Sequence, residues 1–408
     1  MAPRHESDRW AVSPYNFADS VRAEMTLPKK VTICDLTLRE GRQYEGVNLR
    51  KEEVILVAQK LAEAGIPMVQ MHHDDPDEVK EVKALGLPFK VEVLVHPTAT
   101  LNPETCRHEV DNCIECRADI ICMAFAVSDY NFGLYESMGK MKISREEALA
   151  KACEAVRYAK GQGADVCCLL MDFSRLELKR LLNICRSLAD AGADIIRLDD
   201  ICAPIIPAVY KHHVREVKKV IPNTRVAVHS HNDFGLGTAA LFASLEGGAD
   251  IIDAGVNSLG ERAGIPNLAE VAAIAEILYG LDTGIRLEKM CELSSLVSDL
   301  WKVPVYSHLP AVGDRSFSHA AEVHYVLPEG DRWSFNAWAP ETVGNKSRIL
   351  WCLYSGPFAV RRKAKALGIR LTDKQTEEML AKIREQVRWR KRTVTDEEFA
   401  GIARALGA

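Results

Sequence analysis

Several features are missing from this chain of 408 residues, and each absence removes a class of function. No run of roughly 18 apolar residues occurs, so no membrane-spanning helix is expected. Residues 1–26 are polar and charged and lack the apolar stretch of a secretory signal, so a cytoplasmic protein is expected. Basic residues are not in excess: 52 Lys and Arg stand against 57 Asp and Glu, a formal net charge of -5, with a pI near 6.2. A nucleic-acid binder would carry a basic stripe, so no nucleic-acid partner is expected. The 12 cysteines are scattered, several (Cys34, Cys122, Cys167, Cys168) inside apolar strand-like runs. They read as free thiols in a reducing compartment. Cys113-Ile-Glu-Cys116 is a lone CxxC without a second pair at ligand spacing, and reads as two cysteines on a helix. No glycine-rich fingerprint follows the first strand, which argues against a dinucleotide-binding open sheet.

What is present is a repeat. Hydrophobic content of 47% and charged content of 27% are ordinary for a globular enzyme. From Val31 to about Gly280 short apolar runs alternate with longer amphipathic ones. Eight runs read as strands: Val31–Leu38, Pro67–His73, Phe89–His96, Asp119–Ser128, Asp165–Asp172, Ile195–Asp200, Arg225–Asp233 and Ile251–Leu259. Helical patterns lie between them. Ser144 with Glu147 opens one as a capping box, and Ala191–Asp194 and Gly247–Asp250 read as helix ends placed just before strands. Eight strand-then-helix units predict an α/β fold of (β/α)8 TIM-barrel type. Beyond the barrel, Leu287–Trp301 reads as helix, Pro304–His324 as loop-rich, and Asp373–Arg390 as charged helix. The expected division is an N-terminal arm (1–30), a catalytic barrel (31–285), a linker or lid (286–345) and a mostly helical C-terminal extension (346–408).

A barrel places its chemistry at the C-terminal ends of its strands. His229 and His231, one residue apart at the end of an alternating strand, project from one face and supply half of a metal site. A carboxylate at the tip of the first strand supplies more: Asp35-Leu-Thr-Leu-Arg39-Glu40-Gly-Arg-Gln43 carries Glu40. In a closed barrel only the eighth strand separates the first from the seventh, so Glu40 can reach the same ion. Two imidazoles and a carboxylate suit Zn²⁺, Mn²⁺ or Fe²⁺, with Mg²⁺ or Co²⁺ also possible, and leave positions open for substrate.

Three motifs carry a resemblance. Leu38-Arg-Glu-Gly-Arg-Gln43, His229-Ser-His-Asn-Asp-Phe-Gly235 and Gly260-Glu-Arg-Ala-Gly264, in that order, resemble the signatures of the metal-dependent TIM-barrel acyltransferases and lyases. That family includes homocitrate synthase, 2-isopropylmalate synthase, citramalate synthase and 3-hydroxy-3-methylglutaryl-CoA lyase. The segment Gly313–His324, with Pro340–Gly344 and Tyr354–Gly356, resembles the extension found in the synthases and absent from the lyases, which favours the condensing branch. From the length that remains, the regulatory domain that ends many isopropylmalate synthases is not expected. The resemblance implies that Glu40, His229 and His231 hold the ion, that Arg39 stabilises the developing alkoxide, and that Gln43 and Asp35 orient these groups. It implies His324 as the base that takes a proton from an acyl-CoA, acetyl-CoA being the expected donor, with His319 of the same segment meeting the substrates. His72 and His96, at the tips of the second and third strands, are expected among the substrate-facing groups from the barrel reading itself. The implied reaction is condensation with a 2-oxo acid to a 2-hydroxy di- or tricarboxylic acid and free CoA, in a homodimer. A carbon–carbon lyase or aldolase, and a non-catalytic relative that binds metal and acyl-CoA, are the alternatives.

The chain also departs from the family. Met171 stands where a glutamate is usual at the fifth strand, Ile201 where the sixth strand usually has threonine, and Phe335 where the extension has tyrosine. The second strand ends in His72-His73-Asp74-Asp75 rather than in a small apolar loop. Met171 and Ile201 would suit a bulkier, less polar oxo acid. Alternatively, His72, His73 and Arg42 would form a cationic rim suited to an additional substrate carboxylate.

Overall fold

A computed structural model of the chain describes residues 5–100, 102–137, 143–329 and 331–408. They fall into two compact units: one built on Pro14–Pro304, the other on Val305–Ala408 together with the arm up to Ser13.

The first unit is a closed parallel barrel of eight strands in sequence order. These are β1 (Thr32–Asp35), β2 (Met68–His72), β3 (Lys90–Val95), β4 (Ile120–Ala126), β5 (Asp165–Met171), β6 (Ile195–Asp200), β7 (Arg225–Ser230) and β8 (Ile251–Ala254). All eight runs read from the sequence are strands, and helices link them. β1 and β8 close the ring, with Cys34 opposite Asp253. Several observed strands are shorter than the apolar runs because the tips turn early. At β1, Asp35 accepts the Thr37 backbone N–H at 3.0 Å and ends the ladder.

Helix ends follow the chemistry read from sequence. The Ser144 hydroxyl accepts the Glu147 N–H at 3.1 Å and starts Arg145–Gly161. Gly192 and Gly248 adopt φ of +112° and +105° just before β6 and β8. The lone CxxC lies at the end of helix Pro103–Glu115, and Cys113 and Cys116 are both buried free thiols.

The barrel interior is not wholly apolar. Cys34, Met68, Ile120, Leu169, Ile195, Ala227 and Ile251 belong to one buried cluster. Threaded through the strands beside it are Gln70, Glu92, Arg197 and Asp253, each fully buried.

The second unit has its own core. Helices Pro357–Ala366, Asp373–Arg390 and Asp396–Ala405 pack Val360, Met379, Ile383 and Phe399 together. Trp351 stacks on Phe399 at 5.5 Å between ring centroids. The N-terminal arm joins this unit as an added strand-like segment, with Trp10 bridging to Trp338. Among the described residues no helix is long and apolar enough to cross a membrane.

Candidate active site at the barrel mouth

Glu40, His229 and His231 converge at the mouth, with one donor atom from each lying within 4.8 Å of the others. β7 ends in the pair, and its period of two aims both rings to the same side, at 5.1 Å between centroids. Glu40 opens the short turn Glu40–Gln43 after β1. His231 Nε2 lies 3.7 Å from Glu40 Oε1.

The protonation states suit a cation. Burial pushes the His229 pKa well below its usual range, and the neighbouring His231 and Arg39 add to this, so the ring is neutral with a free lone pair. His231 is lowered as well, chiefly by burial. For Glu40, burial works upward, but the Arg39 guanidinium and the two imidazoles outweigh it and hold the carboxyl at about 2. His229 Nδ1 lies 3.2 Å from Asp253 Oδ2, which leaves Nε2 facing the site. A carboxylate on the far nitrogen of a metal-binding imidazole is the usual support of such a ligand. His231 Nδ1 is buried and has no hydrogen-bond partner among the described residues. Two neutral imidazoles, one ionised carboxylate and an orphaned ring nitrogen therefore fit a divalent ion.

The support continues as a chain of buried contacts. Arg39 Nη1 donates to Glu40, and Arg39 Nε donates to Gln70 Oε1 at 2.6 Å. Gln70 Nε2 donates to Glu92 Oε1 at 2.5 Å. Glu92 pairs with Arg197, whose Nε lies 3.1 Å from Asp253 Oδ2. Asp253 returns the chain to His229. The circuit runs from the turn after β1 through β2, β3, β6 and β8 to β7. Another grouping of possible metal donors, Glu92 with Cys122 and Cys167, surrounds Arg197. There the guanidinium itself is the cation, with Nη1 at 3.5 Å from Cys122 Sγ.

The loop after β8 locks the site from above. Glu40 Oε1 accepts the Glu261 N–H at 3.1 Å. A Cβ on Gly260 would lie 3.0 Å from Glu40 Cγ, and one on Gly264, where φ is +74°, would lie 1.8 Å from the Ser258 carbonyl oxygen. The two glycines of this motif are thus required by close approach. Arg262 straps the neighbouring loops, donating through Nε to Asp233 Oδ1 at 2.9 Å and through Nη2 to the Ile201 carbonyl. Asn257, Ser258 and Arg262 all hold positive φ, backbone strain that this packing stabilises. Beneath the Glu40 turn, Trp301 Nε1 donates to the Gly41 carbonyl at 2.7 Å.

Other residues picked from sequence are placed differently. The Asp35 carboxylate hydrogen-bonds within its own turn. It accepts Thr37 Oγ1 at 2.9 Å, and Thr37 in turn accepts the Val256 N–H, tying the β1 tip to the β8 loop. Burial raises the Asp35 pKa to about 7. Gln43 is exposed at the end of its turn. Met171 and Ile201 are half-buried at the tips of β5 and β6. Met171 is packed against the barrel core. His72 is half-buried, and His96 is exposed just past β3. Arg42 turns away and forks onto Glu78 at 2.5 and 3.3 Å, which removes it from a cationic rim. Burial lowers the His72 pKa to about 4, against the pull of Asp74 and with the help of His73, Arg39 and His96, so this ring is neutral too. His319 and His324 belong to the other unit, where their rings meet edge to face at 5.3 Å and His324 stacks on Phe335 at 4.2 Å.

One functional candidate was visible only as an acid at a strand end. Asp199, opposite His229 in the β6–β7 register, is 6% exposed, and its Oδ1 lies 4.0 Å from His229 Nε2 without a hydrogen-bond partner among the described residues. Burial raises its pKa well above the usual range. The adjacent Asp200 faces the other way, toward Tyr210 and Ser174.

Comparison with known proteins decides the relationship. The pattern described as HMGL-like matches residues 30–297, and the homocitrate synthase post-HMGL domain-like pattern matches residues 311–391. Homocitrate synthase from Saccharolobus islandicus is 32% identical over 87% of this chain and 76% of its own length. The chain belongs to the homocitrate synthase family. Homocitrate synthase from Sulfurisphaera tokodaii is 31% identical over the same shares. These relatives are acyltransferases, and this chain is an enzyme of that kind. Among solved structures, HMG-CoA lyase from Bacillus subtilis superposes with a TM-score of 0.59 at 18% identity, covering 69% of this chain and 97% of the lyase. The carboxyl transferase domain of Rhizobium etli pyruvate carboxylase gives 0.54 at 16%, covering 72% of this chain and 53% of the other. These two likenesses speak to the barrel fold alone.

Proposed function

We propose that this protein condenses an acyl-CoA, in the simplest case acetyl-CoA, with a 2-oxo acid at a divalent ion held by Glu40, His229 and His231. The products are a 2-hydroxy di- or tricarboxylic acid and CoA. The observation that carries the reading is the convergence of one ionised carboxylate and two neutral imidazoles beside a buried guanidinium. A bound ion of this kind supplies Lewis-acid polarisation of the ketone. Arg39, fixed by Gln70 and Glu40, is the fixed cation for the developing alkoxide.

His324 is the proposed base, with His319 beside it. It removes a proton from the methyl carbon of the thioester. The enolate carbon bonds to the ketone carbon, the ketone oxygen gains a proton, and water cleaves the thioester to carboxylate and thiol. Asp35 acts at one remove through Thr37, while Gln43, His72 and His96 face the substrates from the rim. Met171 and Ile201 line the oxo-acid side chain. With Arg42 held by Glu78 and His72 neutral, a cationic rim for an added carboxylate loses its support. We therefore favour a less polar oxo acid over 2-oxoglutarate or oxaloacetate. A homodimer in the cytoplasm completes the reading.

Thiol release from acetyl-CoA with a panel of 2-oxo acids tests it. Thiol should appear only when an oxo acid is present, and fastest with apolar side chains. Cleavage of a branched 3-hydroxyacyl-CoA to an acyl-CoA and an oxo acid, without any thiol release, would make the protein a lyase. Faster turnover with 2-oxoglutarate would overturn the apolar preference.

A further inference from the structure

The unit of residues 305–408 holds a cavity of about 560 Å³ whose wall includes His319 and His324 and, beyond them, cationic groups to which the proposed condensation assigns no part. That volume lies within the range of small-molecule sites. Its wall is strongly cationic: Arg332, Lys346, Arg348, Arg362 and Lys363 line it, against two carboxylates, Glu341 and Asp396. Those acids are already engaged. Lys363 pairs with Asp396, and Arg332 lies 3.8 Å from Glu341 while its guanidinium covers the Trp333 ring at 4.6 Å.

The remaining three cations are uncompensated. Arg348 donates to the Asp314 and Lys346 carbonyls at 2.6 and 3.2 Å, which fixes its head without neutralising it. Lys346 and Arg362 form no ion pair among the described residues and are exposed. Cations gathered in a concave wall in excess of its acids draw a polyanion, and guanidinium and ammonium groups suit phosphate in particular. Two indoles, Trp333 and Trp338, also face the cavity, and such faces stack on a heterocyclic base. His319 and His324 stand on the same wall.

We propose that this cavity binds the phosphate-bearing adenosine end of the acyl-CoA, with Lys346 and Arg362 as its principal phosphate contacts. The assignment rests on the condensation reading for its ligand, but not for its chemistry. A free nucleotide shares the same groups, and the test separates the two.

Binding of CoA, dephospho-CoA, pantetheine and ATP to the full chain is measured by calorimetry, for the wild type and for the double variant Lys346→Glu/Arg362→Glu. Both side chains are exposed, so the fold tolerates the reversal, and a circular-dichroism melt verifies it. The expected result is CoA bound more tightly than pantetheine or ATP, with affinity falling as salt rises. In the double variant CoA affinity should drop by at least about 10-fold, as expected for lost charged hydrogen bonds. Weak pantetheine binding should not change, and KM for acyl-CoA should rise far more than KM for the oxo acid. Unaltered CoA binding in the folded double variant would overturn the proposal. ATP binding as tightly as CoA would overturn the CoA assignment in favour of a free nucleotide. CoA binding that depends on Lys346 and Arg362, without thiol release from any oxo acid, would uphold this site and sink the condensation reading instead.

Discussion

Two adjoining arcs of the barrel rim are built on opposite plans. From β7 through β8 to β1, two of the three candidate ion ligands are held by other groups, His229 by Asp253 and Glu40 by Arg39 and the Glu261 amide, and the loop above is held by Arg262. From β2 to β3, the histidines stand half-buried or exposed. His72 and His73 stack on one another at 4.8 Å, and His73 leans on Glu109 at 3.0 Å. The first arc carries all three family motifs. The second carries none of them. A site that must hold a cation needs fixed, desolvated donors, whereas a surface that meets a variable substrate does not.

The largest effect is expected from breaking the first arc at a ligand. His229→Ala should lower metal affinity by more than about 100-fold, since even supporting groups cost about 10–100-fold. Loss of turnover should accompany it, and metal content after gel filtration checks the cause. Normal content with activity would remove His229 from the ligand set. Next comes the circuit beneath. Arg197→Met leaves Glu92 and Asp253 buried without their cation, and breaking such a pair costs about 3–5 kcal/mol. Urea denaturation measures this, and a variant as stable as the wild type would show that the circuit contributes nothing to folding.

A third change separates ion binding from chemistry. Arg39→Lys should keep the ion but slow the chemical step by about 10²–10³-fold, because an ammonium cannot reproduce the fork on Gln70 and Glu40. Unchanged turnover would remove Arg39 from the alkoxide. The smallest effect belongs to the second arc. The folded-state pKa of His72, about 4, lies below that of an unfolded histidine near 6.5. The unfolded chain then binds the proton that the folded chain refuses, so stability contributed by the neutral ring is present above pH 6.5 and is lost as pH falls toward 4. His72→Asn should flatten the fall in stability across that window. An identical pH profile for the two proteins would show that His72 ionises normally when folded.

The fold was readable because eight alternations of apolar run and amphipathic helix admit few closures. The convergence of His229 and His231 was readable because His-x-His on a strand sends two rings to one side. The circuit was not. Gln70, Glu92, Arg197 and Asp253 each occur singly within an apolar run, and only closure of the barrel brings them into pairs. Sequence could not choose between Asp199 and Asp200 as the inward acid either, since strand register decides it. Arg39 and Arg42 present the same problem on a short turn, where one faces Gln70 and the other Glu78.

The Arg262 strap reaches Ile201 through its backbone carbonyl rather than its side chain. Any residue at position 201 offers the same oxygen, so exchange of that side chain leaves the loop anchored. Position 201 is therefore free to vary across generations while the loop beside it stays in place.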